Sequence, residues 1–192
     1  MVSRGSLRLL LGAFLRLPAD TLRFEYNEFG KPKLISTQEQ GLQFNVSHSG
    51  DLVLIAITKG RAVGLDVEKI RTDIDLDGVA ARFFSIDENT RLASLAGPAK
   101  YEGFFTCWTR KEAYLKAHGG GLSLPLDQFD VSFRSTEEVG LLATRPDPNE
   151  AKRWTVRPIN VPAGYVAALV GEGTDWKLTC REMPSPTSTK FK

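Results

Sequence analysis

The chain has 192 residues, enough for one domain or two closely joined lobes with a sizeable core. A content of 42% hydrophobic and 25% charged residues is that of a folded globular protein, and a net charge of +2 without a basic run argues against nucleic acid as a partner. Its two cysteines, Cys107 and Cys180, have no CxxC or His companion spacing, which argues against zinc and a disulfide framework and for a reducing compartment.

From the start of the chain, Ser3 to Leu17 repeat apolar side chains at 7, 10, 11, 14 and 15, one face of a helix. Arg4, Arg8 and Arg16 form its polar side and Pro18 ends it. Arg16 interrupts the apolar stretch and no small-residue cleavage site follows, so a secretory signal is disfavoured. The first nineteen residues are basic, amphipathic and free of acids, and on the residues alone an organelle transit peptide stays open. Leu22 to Thr58 reads as short strands and turns, with a loop over Asn27 to Pro32 broken by Gly30 and Pro32.

Phe44 to Gly50 followed by Leu52 to Ile57 reads as strand, polar turn and strand. A turn of Ser47, His48, Ser49 and Gly50 can wrap a phosphate, or it is a hairpin turn with an incidental His. Val63, Leu65 and Val67 alternate along the next strand, which the short link Lys59-Gly60-Arg61 predicts to pair with 52–57 as an antiparallel hairpin. Asp66 and Glu68 point to the same side of that strand, where two like charges repel. A hard divalent cation such as Mg²⁺ removes that repulsion, and so does plain solvation on an edge strand.

Asp75 to Phe84 and Asp87 to Leu95 read as helices, the second with Ser85 as N-cap. Gly97 and Pro98 separate them from a central helix within Tyr101 to Gly121, which has no Pro or Gly from 104 to 118 and is closed by the glycines from 119. On it Glu112 and Lys116 share a face one turn apart, and Lys111 is read as lying beside them. That group suits a metal cation held against an anion, or is an ordinary surface ion pair. No GK[ST] follows the glycines, so they are no P-loop. Strands are predicted at Phe129 to Phe133, Val139 to Ala143, Trp154 to Ile159, Tyr165 to Val170 and Trp176 to Cys180, and a disordered tail at 183–192. Gly50 and Gly164 each precede an apolar strand, one in each half of the chain.

In this order and spacing, FNVSHSG, VGLDVE and FFTCWTRKEAYLKAHGGGLSLPL resemble the Sfp-type 4′-phosphopantetheinyl transferases, and Gly30-Lys31-Pro32 is similar to that family's GKP element. The likeness runs from about Ser3 to Gly171. It implies an α+β fold of two similar lobes about a pseudo-twofold axis, here 1–63 and 64–182, with the site between them. It also implies a cytoplasmic monomer without membrane contact, and makes SRGSLRLLLGAFL the enzyme's first helix. The implied activity is Mg²⁺-dependent transfer of the phosphopantetheine arm of coenzyme A to a serine of an apo acyl or peptidyl carrier protein, releasing adenosine 3′,5′-bisphosphate.

Carried over by motif, Asp66, Glu68 and Glu112 bind the metal, while Lys111 and Lys116 neutralise phosphate charge. Ser47 and His48 hydrogen-bond the coenzyme phosphates, Lys31 and Pro32 lie at the adenine, and Arg4 meets the 3′-phosphate. Glu112 is the favoured general base, directly or through water. Members of the family have a further strand and basic loop before the first helix. The expectation is therefore a shortened N-terminal lobe, in a gene product that starts upstream of Met1 or is poorly stable. A coenzyme A-binding protein without transferase activity and a Mg²⁺ phosphohydrolase are the rival readings.

Overall fold

The computed structural model describes residues 2–26, 32–35, 41–120, 124–134 and 136–183, without the side chains of 2–4. The Arg4 side chain, Lys31 and the tail from 184 lie outside the described residues. Helix α1 (Val2–Leu15) lays Leu7 and Leu11 on Leu22, Leu34, Leu42 and Phe44. Phe14, expected on that inner face, is 58% exposed. The helix ends before Pro18, because Arg16 adopts a positive φ of 57° and the Leu17 N–H closes on the Gly12 carbonyl at 2.9 Å.

The strands of this half form two separate antiparallel pairs, β1 (Arg23–Tyr26) with β2 (Pro32–Ile35) and β3 (Leu42–Ser49) with β4 (Leu52–Lys59). Ser47, His48 and Ser49 are the last residues of β3, not a turn as the sequence suggested. The turn is Gly50-Asp51 alone, with Gly50 at φ 55°, as a tight two-residue hairpin requires. Alternation then gives β3 two distinct faces. Leu42, Phe44 and Val46 turn toward the α1 core, and Asn45, Ser47 and Ser49 turn away from it.

β5 (Val63–Lys69) does not pair with β4, as its short link predicts. It hydrogen-bonds β9 (Tyr165–Glu172), which in turn pairs with β8 (Trp154–Pro158), giving the order β5-β9-β8. The reason lies on its other edge: Leu65 N–H donates to Asn45 Oδ1 at 2.9 Å, Val67 N–H to Ser47 Oγ at 3.2 Å and Lys69 N–H to Ser49 Oγ at 3.0 Å. Every second residue of β3 satisfies every second amide of β5, so side chains replace the backbone ladder that β4 would have supplied.

α2 (Leu76–Phe83) and α3 (Ile86–Ala93) lead to α4 (Gly97–His118). Pro98 sits inside the first turn of α4 rather than outside it, where the missing amide hydrogen is not needed. α4 is buried on nearly all sides, packed on β5 and β9 and against Phe84, Phe129 and Val131. Gly119, at φ 79°, caps it as expected. β6 (Phe129–Val131) and β7 (Leu141–Thr144) make a small hairpin beside it. No strand forms at 176–180; instead Trp176 packs on the cluster of Leu65 and Leu169, with its indole against Gly171 and the Arg157 guanidinium 4.7 Å from its ring. The fold is α+β, as the sequence predicts, with α1 covering the first half and α4 the second.

Candidate functional site

The polar face of β3, the middle of β5 and the last two turns of α4 meet at one place. Gly64 makes the meeting possible: a methyl group there would overlap the Ala113 carbonyl oxygen and the Ala117 nitrogen and lie 2.9 Å from the Ala117 Cα. Only a glycine lets the α4 backbone settle on β5 at this depth. Once it does, the Lys116 ammonium reaches Asp66 Oδ1 at 2.6 Å and comes within 3.4 Å of Ser47 Oγ.

Ser47 and Ser49 each use both hydroxyl functions. Each accepts an amide of β5 and donates to a carboxylate, Ser47 to Asp66 Oδ1 and Ser49 to Glu68 Oε2, both at 2.9 Å. Asp66 is buried, yet its Oδ2 has no hydrogen-bond partner among the described residues. Burial chiefly raises the carboxyl pKa of Asp66, opposed by the Lys116 charge beside it. Burial also raises that of Glu68, with a contribution from Asp66. Glu112 is raised by burial first, then by Asp66, with Glu68 contributing and Lys116 opposing. The three carboxylates thus feel one another across β5 and α4, and their repulsion is only partly cancelled by Lys116 and, at Glu68, by Arg71.

Among the described residues no three His, Cys, Asp or Glu side chains stand together closely enough to hold a metal ion by themselves. A Mg²⁺ ion does not need such a set, because it takes one or two carboxylates and completes its shell with water and substrate phosphate oxygens. A buried, unpartnered Asp66 oxygen beside two further carboxylates is a donor set that fits such an ion.

The structure brings Asp66, Glu68, Glu112, Lys116 and Ser47 together. It does not bring Lys111, and this corrects the placement beside Glu112 and Lys116. Successive helix residues are about 100° apart, so 111 cannot share the face of 112 and 116. Lys111 is fully buried on the far side of α4, 2.7 Å from Glu88 Oε2, and donates to the carbonyls of Leu126 and Phe129 at 2.6 Å each. Glu88 completes that cluster by accepting the amides of Ser85 and Val131 at 3.0 and 2.9 Å. His48 is exposed at the end of the opposite face of β3, away from the carboxylates, and Pro32 opens β2 opposite Tyr26. Burial pushes the Cys107 thiol well above its ordinary range, which makes it inert as a nucleophile.

The sequence reading does not single out Asn45, Gly64 or Glu88, and it gives Ser49 a place in a turn rather than its bonds to β5 and Glu68. A period-two run of polar residues within an apolar strand signals Asn45 and Ser49, and a glycine inside a strand signals close backbone approach. Ser85 with a Glu three residues later is the pattern of a reciprocal helix cap, which the structure contains.

A model of the 4′-phosphopantetheinyl transferase superfamily matches residues 62–170, and one described as 4′-phosphopantetheinyl transferase, N-terminal, matches residues 1–60. The chain is 37% identical to the 4′-phosphopantetheinyl transferase HetI of a Nostoc species over 91% of its own length and 70% of that protein. Against Sfp of Bacillus subtilis the values are 32%, 88% and 71%. Against gsp of Aneurinibacillus migulanus they are 34%, 74% and 57%, so the chain spans little more than half of that relative. A solved holo-[acyl-carrier-protein] synthase of Thermotoga maritima aligns with a TM-score of 0.47 at 20% identity, over 58% of this chain and 62% of that one.

Proposed function

The chain belongs to the 4′-phosphopantetheinyl transferase superfamily, and we propose that it moves the phosphopantetheine arm of coenzyme A onto a serine of an apo acyl or peptidyl carrier protein. The observation that carries this reading is the cluster on β5 and α4, three mutually repelling carboxylates and one ammonium with a buried Asp66 oxygen left open. Such a group has little use in an empty protein and a clear one against a cation and a pyrophosphate. Asp66, Glu68 and Glu112 would hold Mg²⁺. When bound, that ion supplies charge withdrawal from the pyrophosphate oxygens.

The protein's own groups do the rest. Lys116, half-buried and already aimed at the carboxylates, is a point cation for the phosphates. Glu112, on the face of α4 that it shares with Lys116, is the proposed general base. It takes the proton from the carrier serine Oγ, directly or through one water. The serine oxygen forms its bond to the phosphorus carrying the pantetheine arm, and the bond from that phosphorus to the bridging oxygen breaks. Adenosine 3′,5′-bisphosphate leaves with the bonding pair. Catalysis here is mainly positioning and charge neutralisation.

Arg4 is a proposed contact to the 3′-phosphate, Lys31 and Pro32 to the adenine, and His48 to the coenzyme phosphates. Lys111 has a different role, as the internal counter-ion that fixes α4. We further propose a cytoplasmic monomer. No helix among the described residues is long and apolar enough to cross a membrane.

The test is incubation with coenzyme A, Mg²⁺ and an apo carrier protein, followed by intact mass measurement of the carrier. A gain of one phosphopantetheine is the expected result. An unmodified carrier with coenzyme A still bound would mean a binding protein, and coenzyme cleavage without a carrier would mean a hydrolase.

A further inference from the structure

The two serines of β3 differ in what else holds their acids. Asp66 has Lys116 as well as Ser47, whereas the one hydrogen bond to the Glu68 side chain among the described residues comes from Ser49. The direction of that bond is fixed by chemistry. The Lys69 amide can only donate, so at 3.0 Å it occupies a lone pair of Ser49 Oγ, and the hydroxyl proton is left to point at Glu68 Oε2, 2.9 Å away. Ser49 itself cannot swing freely, because it is the third rung of the Asn45, Ser47, Ser49 ladder that joins the two halves of the chain. A long, half-buried glutamate that would otherwise sample several rotamers is thereby tied to the register between β3 and β5.

We propose that Ser49 is a positioning residue for the cation site, holding Glu68 in the place from which it serves as ligand. The inference rests on the reading of Asp66 and Glu68 as metal-holding carboxylates. It assigns to the second serine of the Ser-His-Ser run a task distinct from substrate contact. Hydrogen bonds to ligand carboxylates from the surrounding shell are typically worth about 10–100-fold in metal affinity or activity.

The test compares Ser49→Thr, which keeps the hydroxyl, with Ser49→Val, which has nearly the same shape without it. Both β-branched residues suit a strand, so they isolate the hydroxyl with its two hydrogen bonds, and the Glu68→Ala background separates the bond to Glu68 from that of the Lys69 amide. Binding of Mn²⁺ by the full chain is measured directly, by electron paramagnetic resonance of the free ion, with carrier modification followed in parallel. The expected result is parent-like affinity for Ser49→Thr and a loss on the order of tenfold for Ser49→Val. Coenzyme A KM should change less than twofold at saturating Mg²⁺. In a Glu68→Ala background the two variants should become indistinguishable. Equal Mn²⁺ affinity of the Thr and Val variants, or failure of the Val variant alone to fold, overturns the proposal and leaves Ser49 a strand-pairing residue. A parent chain that modifies its carrier without measurable Mn²⁺ binding overturns the metal reading itself, and the inference with it.

Discussion

α4 carries two lysines five residues apart that both meet a carboxylate at close range, and the two sites are opposites. Lys111 and Glu88 form a closed system: three acceptors for three ammonium hydrogens, the Ser85 amide on the shared carboxylate oxygen and the Val131 amide on the other. Lys116 and Asp66 form an open one, with a carboxylate oxygen bare among the described residues and two further acids nearby whose charge Lys116 and Arg71 offset only in part. Burial alone does not separate them, since Asp66 is as hidden as many core residues. What separates them is satisfaction. A finished polar cluster fixes the structure, whereas an unfinished one is stabilised further by whatever ligand completes it.

The comparison is broken most severely by leaving half of the closed cluster behind. Lys111→Met strands a buried Glu88 charge and should destabilise the fold by about 3–5 kcal/mol, read as a lower denaturation midpoint in urea. Adding Glu88→Gln removes the stranded charge while keeping an acceptor for one of the Ser85 and Val131 amides, and should recover part of that loss. If the single and double variants are equally unstable, the cluster is not the closed charge pair described.

A smaller effect on stability, but a large one on chemistry, is expected at Gly64. The added methyl of Gly64→Ala must push α4 off β5, for about 1–3 kcal/mol in the melting measurement. Lys116 and Glu112 move with the helix, so transfer should fall at least a hundredfold. A stable Gly64→Ala chain with normal transfer would show that the close approach of helix and strand is not needed.

On the open side, Glu112→Gln should lower kcat more than it changes coenzyme A KM, because it removes the proposed base and one charge together. An unchanged kcat assigns the proton transfer to another group.

The smallest effect is on stability against pH. Asp66, Glu68 and Glu112 have raised carboxyl pKa values in the folded chain. A carboxyl of this kind contributes stability below its unfolded pKa and loses that contribution as pH rises through the raised folded value. Asp66→Asn removes one such term, so in metal-free buffer its Tm should exceed that of the parent at pH 7. The gap should close as pH falls through the unfolded Asp value of about 3.9, below which the parent's carboxyl becomes protonated in both states. A gap that widens on acidification reverses the sign of the burial argument.

Much of this was legible in the sequence, for reasons that particular residues make plain. The ends of α3 and α4 follow from Ser85 and Gly119, whose caps are local chemistry. The acid pair on β5 and the Glu112–Lys116 face follow from strand and helix periods. Partner choice was not legible. β5 was assigned to its neighbour β4, because nothing local shows that Asn45, Ser47 and Ser49 fill its edge amides from the side. Lys111 was set with Lys116 by adjacency in sequence, and its true partner Glu88 lies 23 residues away on another helix. Likewise the expected strand at 176–180 is displaced by the packing of Trp176 over Gly171, a tertiary contact that propensity cannot anticipate.

The measurement that bears most directly on the distinction between the two lysines is the transfer rate per folded molecule. It is determined by intact mass of the carrier, with folded fraction from circular dichroism, for Lys116→Met and for the Lys111→Met, Glu88→Gln pair. The account predicts that Lys116→Met stays folded and loses transfer by about a hundredfold or more, as removal of a phosphate-neutralising charge does. It predicts that the Lys111 pair, once corrected for its folded fraction, transfers within a few-fold of the parent. A folded Lys111 pair without activity, beside an active Lys116→Met, would contradict it.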